Sequence, residues 1–135
     1  MYITSKSETA IRLLVFHAGR GRPLEPISTK EAAAALGTSA DYLRYVSRIL
    51  SYRGYLIAIK GRGFYLGRNP AEIPIACVLK ITQRRTIEYG LVIQDMPKSI
   101  FSQFLEEKMG TGTMYFSYAL SDLVSDWIAP LSPDR

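Results

Sequence analysis

One cysteine and one histidine are all that 135 residues supply of those two types. A lone thiol excludes an intramolecular disulfide framework and any all-cysteine metal site within one chain. Catalysis finds equally little. There is no paired histidine and acid and no glycine-rich phosphate loop, and Gly61-Arg62-Gly63 is far too short for a nucleotide fingerprint. No apolar run approaches the roughly 18 residues that a membrane span needs, and the residues from Met1 to Lys6 do not open a secretory signal. These absences predict a cytoplasmic protein that is no enzyme, carries no metal or other cofactor, and has no membrane partner.

What is present is a core and a lopsided charge. Hydrophobic residues make up 47% of the chain, enough to pack a fold and to argue against disorder. The length holds one domain, or one domain with a short oligomerisation arm. Residues 1–68 carry 11 Lys and Arg against 4 Asp and Glu, a net +7. Residues 69–135 carry 6 against 8, a net −2, so the overall +5 comes entirely from the first half. A one-sided basic footprint favours a polyanionic partner.

Residues 28–66 spell a compact unit within that basic half. Ser28 with Glu31 three residues on is a capping box, and an alanine-rich stretch follows it to Leu36. Gly37 can take the left-handed conformation that ends such a helix. Ser39 caps a second helix running to about Arg53 and closed by Gly54. Two short helices joined by a glycine turn predict a helix-turn-helix, whose second helix normally enters the major groove. A strand over 55–59, the turn Lys60-Gly61-Arg62-Gly63, and a strand over 64–66 then form a wing.

Periodicity divides the second helix into faces. Leu43, Val46, Ile49 and Leu50 make its expected buried stripe, and Arg44, Ser47, Arg48 and Ser51 its exposed one. Thr38, Ser39, Asp41, Tyr42 and Tyr45 lie at its N-terminal end, which usually meets base edges. An arginine fork can bond two acceptors on guanine, and hydroxyl groups can reach phosphates or bases. Glycines let the hairpin tip approach a backbone closely, and Arg62 there can enter a narrow minor groove. The candidate DNA-binding residues are therefore Ser28, Thr38, Ser39, Asp41, Tyr42, Arg44, Tyr45, Arg48, Lys60 and Arg62. The plain alternative is a set of solvated helix and turn residues, with Tyr42 half-packed on the first helix.

Elsewhere the signal is thinner. A first helix is expected over 7–18, with Ala10, Ile11, Leu14, His17 and Ala18 inward and Glu8 and Arg12 in water. His17 reads as a buried structural histidine. The apolar run over 73–81 is short enough for a helix or a buried strand, and Cys77 within it reads as a small core residue. Residues 86–93 alternate partly, as a strand would. A helix over 99–109 would bury Ile100, Phe101, Phe104 and Leu105 and end at Gly110. A last helix over 114–127 would bury Tyr115, Tyr118, Leu123 and Trp127.

Several of these motifs, in this order, resemble the Rrf2 family of bacterial winged-helix transcription regulators. They are the stretch over 9–18, the helix over 29–36, Asp41-Tyr42-Leu43-Arg44, and Lys60-Gly61-Arg62-Gly63-Phe64-Tyr65-Leu66. The family includes iron–sulfur cluster, nitric-oxide and cysteine-metabolism regulators. The resemblance implies a homodimer that binds a palindromic operator in double-stranded DNA, usually as a repressor. It puts the base-reading tyrosine on Tyr42 and the minor-groove wing arginine on Arg62. The chain departs from the pattern at Arg44, where the family commonly has Glu, and at His17, where it commonly has Leu. The three cysteines of cluster-binding members have no counterpart. An unidentified small-molecule or protein effector would act through the divergent second half.

The expected fold is mainly α with a small β wing: a winged helix-turn-helix over 1–68 and a C-terminal helical region for dimerisation or effector response over 69–135. The alternative function is a winged helix used as a protein- or RNA-interaction module without operator specificity.

Overall fold

The computed structural model describes residues 3–20, 24–83, 99–109 and 117–128, the side chains of the last two excepted. Helix α1 spans Ser5–Ala18, α2 Thr29–Leu36 and α3 Ala40–Tyr52. The strands β1 (Leu56–Ile59) and β2 (Gly63–Leu66) follow, then a 3-10 turn at Pro70–Glu72. Helices α4 (Ile75–Thr82), α5 (Ile100–Met109) and α6 (Leu120–Ile128) complete the described order. The described residues are mainly helical with one small antiparallel sheet, as the patterning predicts.

The local chemistry of the helix-turn-helix is the expected one at both serine caps, but the Glu31 carboxylate accepts from Arg20 at 2.8 Å and does not complete a capping box with Ser28 among the described residues. The Ser28 side chain accepts from the Glu31 amide at 3.0 Å, and Ser39 accepts from the Tyr42 amide at 3.1 Å. Each satisfies a donor that the first helical turn leaves without an intrahelical partner. Gly37, at φ 70°, ends α2 in the left-handed conformation.

Packing centres on α1, which touches α2, α3, β2, α4 and α6. Ile11, Leu13 and Leu14 are essentially without solvent contact, as are Leu43, Val46 and Leu50 of α3 and Val78 of α4. The apolar run over 73–81 resolves as a helix. Ile75, Ala76, Val78, Leu79 and Thr82 form its buried face, which leaves Cys77 on the other side. Cys77 is exposed, not a core residue.

The buried stripe of α3 is Leu43, Val46, Ser47 and Leu50. Ser47 thus faces the core rather than the water, and Ile49 is only half-buried. Positions 43, 46, 47 and 50 are a complete i, i+3, i+4, i+7 set, and the helix follows that geometry although one member is a serine. Ile100 is 77% exposed because it opens α5 ahead of the inward-facing Phe101. The last helix starts at Leu120, later than expected. Tyr118 precedes it, buried, its hydroxyl donating to Asp126 at 2.8 Å. The expected strand over 86–93, the Gly110 stop, positions 114–116 of the expected last helix with Tyr115, and the Trp127 side chain lie outside what the structure describes.

A polar seam joins α1 to the second half. The Ser7 and Thr82 hydroxyls are hydrogen-bonded and buried. The Glu8 carboxylate accepts from the Ser99 hydroxyl at 2.7 Å and the Ser102 hydroxyl at 2.6 Å. The Glu8 side chain is only 17% exposed, so it is not the water-facing residue that its position in the sequence suggests. At the ends of the seam, the Thr4 amide donates to Gln83 and the Ile3 amide to Glu106, both at 3.1 Å.

His17 is buried on the inner side of α1. Desolvation, and secondarily the nearby Arg20 guanidinium, lower its pKa from 6.5 to about 4. Below pH 6.5 the unfolded chain takes up a proton that the folded chain refuses, so stability falls as the pH drops. From this group alone the loss is about 2 kcal/mol by pH 5 and about 3 kcal/mol below pH 4. Thermal unfolding at pH 7 and pH 5 should show a smaller acid loss for His17→Leu than for the wild type. Equal losses would mean that His17 takes up its proton without strain.

Candidate nucleic-acid interface

The wing is tied to the start of the helix-turn-helix by main-chain atoms. Ile27 and Phe64 exchange two backbone hydrogen bonds, Ile27 N–H to Phe64 O at 2.8 Å and Phe64 N–H to Ile27 O at 3.0 Å. β1 and β2 pair in register from Leu56 with Leu66 to Ile59 with Gly63. Gly63, at φ 119°, sits so close to Ile27 that a Cβ would collide with the Ile27 carbonyl oxygen. Only glycine fits there, and its fit sets the hairpin tip against Ser28 and the N-terminus of α2.

That placement closes one side of an open groove of about 470 Å³, with α3 on the other. Ser28, Lys30, Arg44, Arg48, Lys60 and Arg62 line it, five cations from three separate elements. Among the described residues its lining includes no carboxylate. Glu31, three residues after Ser28, is paired with Arg20 at 2.8 Å. Positive charges that converge in one concavity focus field there and raise the local concentration of anions.

The remaining candidates gather at the N-terminal end of α3. Asp41 is exposed and pairs with Arg44, Oδ1 to Nη1, at 2.9 Å. Tyr42 is half-buried and hydrogen-bonds the Thr9 side chain; desolvation raises its pKa, with that bond in partial opposition. The rings of Tyr42 and Tyr45 lie 6.3 Å apart, and the Lys6 ammonium sits 5.8 Å from the Tyr45 ring centroid. Tyr45 is 49% exposed. Ser39 is exposed and Thr38 half-exposed, but the Ser39 hydroxyl is occupied as a cap.

The structure therefore divides the ten candidates into two sets. Ser28, Arg44, Arg48, Lys60 and Arg62 share the groove, whereas Thr38, Ser39, Asp41, Tyr42 and Tyr45 lie beside it along the α3 terminus. Two further cations join the face. Lys30 was legible as the residue two after the Ser28 cap. Lys6 was not, because only the packing of α1 on α3 brings it to Tyr45.

The profile of the Rrf2 family, described as an iron-dependent transcriptional regulator, matches residues 3–102. The chain belongs to the Rrf2 family. That family is one of transcriptional regulators, and the fold here is its winged helix. A stretch of 85 residues is 33% identical to the HTH-type transcriptional regulator NsrR of Bacillus subtilis (strain 168), spanning 62% of this chain and 58% of that protein. The match thus covers less than two thirds of the relative's length. The fold is similar to that of CymR (YrzC), described as the global cysteine regulator of B. subtilis. The TM-score is 0.66 at 22% identity, over 93% of this chain and 97% of the other. It is likewise similar to T. potens IscR, with a TM-score of 0.64 at 21% identity over 94% and 88%.

The family description raises iron, and the donor set of this chain does not match a thiolate-held iron group. Cys77 faces outward from α4 and His17 is enclosed against α1, and the sequence has no second residue of either type. Iron–sulfur clusters typically take four cysteines, with histidine replacing some of them in certain sites. Among the described residues no three His, Cys, Asp or Glu side chains are grouped to hold a metal.

The clamp between wing and helix is testable at two glycines. Gly63→Ala forces both the backbone angle and the contact with Ile27, and should cost at least about 2 kcal/mol and lower DNA affinity. Gly61→Ala has open space around its Cβ at φ 78° and should cost only about 1 kcal/mol, with the fold retained. Thermal melts of the two variants side by side check this. Equal costs would mean that the wing is not pinned at Ile27.

Proposed function

We propose that this chain is a homodimeric, sequence-specific operator-binding repressor. The observation that carries the reading is the groove itself: five cations from α2, α3 and the wing converge where a recognition helix and a hairpin tip lie side by side. In this reading the N-terminal end of α3 enters the major groove, and Tyr42, Arg44, Tyr45 and Arg48 meet bases and phosphates. Ser28, Thr38, Ser39, Lys30 and Lys60 hold the sugar–phosphate backbone, and Arg62 reaches the adjacent minor groove. Asp41 lies on the same face and acts through Arg44.

Residues 1–68 form the DNA-binding part in this proposal, and residues 69–135 serve dimerisation and effector response. Two copies would place their recognition helices about one helical turn, near 34 Å, apart and read a palindrome. A signal from a small molecule or a protein would reach the DNA face through the polar seam between α1 and α4 and α5. The setting proposed is the bacterial cytoplasm.

Ten groove cations per dimer predict a steep salt dependence. Affinity for a duplex should fall about 10³-fold or more between 50 and 200 mM salt. Light scattering after size exclusion should give a dimer at micromolar concentration. A monomer that binds no duplex, or that prefers single-stranded RNA or a protein, would replace this reading with that of an interaction module.

The thiol count adds a second expectation. Protein purified without oxygen should be colourless and bind DNA without added metal, and Cys77→Ser should bind equally well. Stoichiometric iron and sulfide in the anaerobic protein would refute it.

A further inference from the structure

One acid stands on the face that should meet a polyanion. Asp41 lies in the first turn of α3, its side chain 95% exposed, and is not among the residues lining the groove. A carboxylate at that place weakens attraction to phosphate, so affinity does not account for it. An exposed ion pair contributes little to stability, so the bond to Arg44 does not account for it on that ground either. What the bond does is aim a side chain.

The guanidinium of Arg44 has like charges on its other side. Arg48 is one helical turn further on, and Lys60 and Arg62 share the groove. Their repulsion drives the Arg44 fork outward, toward whatever phosphate is nearest. Asp41 fixes where that push ends. By holding Nη1 at 2.9 Å it draws the fork back toward the N-terminus of α3, the end directed at base edges. The remaining N–H donors keep the planar arrangement that two guanine acceptors require.

We infer that Asp41 is the specificity-setting positioning residue of this protein: through Arg44, it converts a phosphate contact into the reading of one guanine per half-site. The inference rests on the DNA-binding reading above. It also names what the carboxylate disfavours, since Arg44 must leave this pair to swing to a phosphate when the base is wrong. Selectivity is gained at the expense of general affinity.

The test is selection of bound sites from a random duplex pool by the full chain, with binding then measured on the best site and on its single-base variants. Arg44→Ala should lose the preference at one guanine position. Asp41→Ala should weaken preference at that same position about fivefold to tenfold and leave the others intact. It should also bind non-cognate duplex about twofold more tightly at low salt. Asp41→Glu, which still reaches Arg44 across one turn, should restore the preference. Lys60→Ala should weaken all sequences alike.

An aspartate in a first helical turn also favours the helix dipole. Thermal melts separate that role, because a loss of helix stability lowers binding to every sequence in parallel and is not rescued at one position. An Asp41→Ala motif identical to the wild-type motif, or a uniform loss on all sequences, overturns the inference. An unchanged motif in Arg44→Ala overturns it too, while DNA binding by the chain stands. If the wild type enriches no sequence at all, it is the DNA-binding reading that fails.

Discussion

The burial of α1 is the constraint on which the other described elements depend. Its Ile11, Leu13 and Leu14 have almost no contact with solvent, and the neighbours that cover them come from both halves of the chain. A helix with apolar residues at adjacent positions such as 13 and 14 cannot be covered from one side only. Helix α3, the wing strand β2, and helices α4 and α6 each cover part of it. Fully burying a leucine or isoleucine contributes about 1.5–3 kcal/mol, so these three side chains alone weigh heavily in a small domain. The helix-turn-helix and the wing are thereby oriented by the same helix that receives the second half of the chain.

The contact with that second half has a different chemistry. Hydroxyls of Ser7 and Thr82, and the Glu8 carboxylate with Ser99 and Ser102, add hydrogen bonds to the apolar packing that α4 and α6 make on α1. The Ser7–Thr82 bond is buried, and a buried hydrogen bond is directional and costs more unmade than it gains when made. Such a seam tolerates few intermediate arrangements. It suits a junction that must hold one register in one state, where a purely apolar contact would accommodate small slips.

The parts of this structure that were legible in the sequence are those governed by short-range rules. Ser28, Glu31, Gly37 and Ser39 mark their helix boundaries through main-chain hydrogen bonds within four residues. The wing turn follows from its glycines in the same way. Side-chain placement on a face was legible only where type and position agreed. Ser47 looked like a surface residue by type, yet the spacing of Leu43, Val46 and Leu50 puts it in the core. Cys77 looked like a core residue by its neighbours, but the run containing it is a helix and not a strand, and helical spacing turns position 77 outward. Glu8 needed knowledge of α5 to be placed, and Lys6 knowledge of α3. The family to which the chain belongs was readable from ordered motifs, since those motifs are the local signals themselves.

The two backbone hydrogen bonds between Ile27 and Phe64 have an evolutionary consequence. They are made by main-chain atoms, so substitutions at exposed positions such as 41, 44, 48 and 62 leave the offset between helix and hairpin unchanged. In the proposed docking the protein is then a calliper with interchangeable tips. Its jaws are set by the peptide backbone, and only what they feel between them is free to drift. A duplex whose grooves do not suit that gap must itself deform to be held, at an energy that depends on its sequence. The operators of such a regulator are therefore expected to share a flexural profile even where they share few bases.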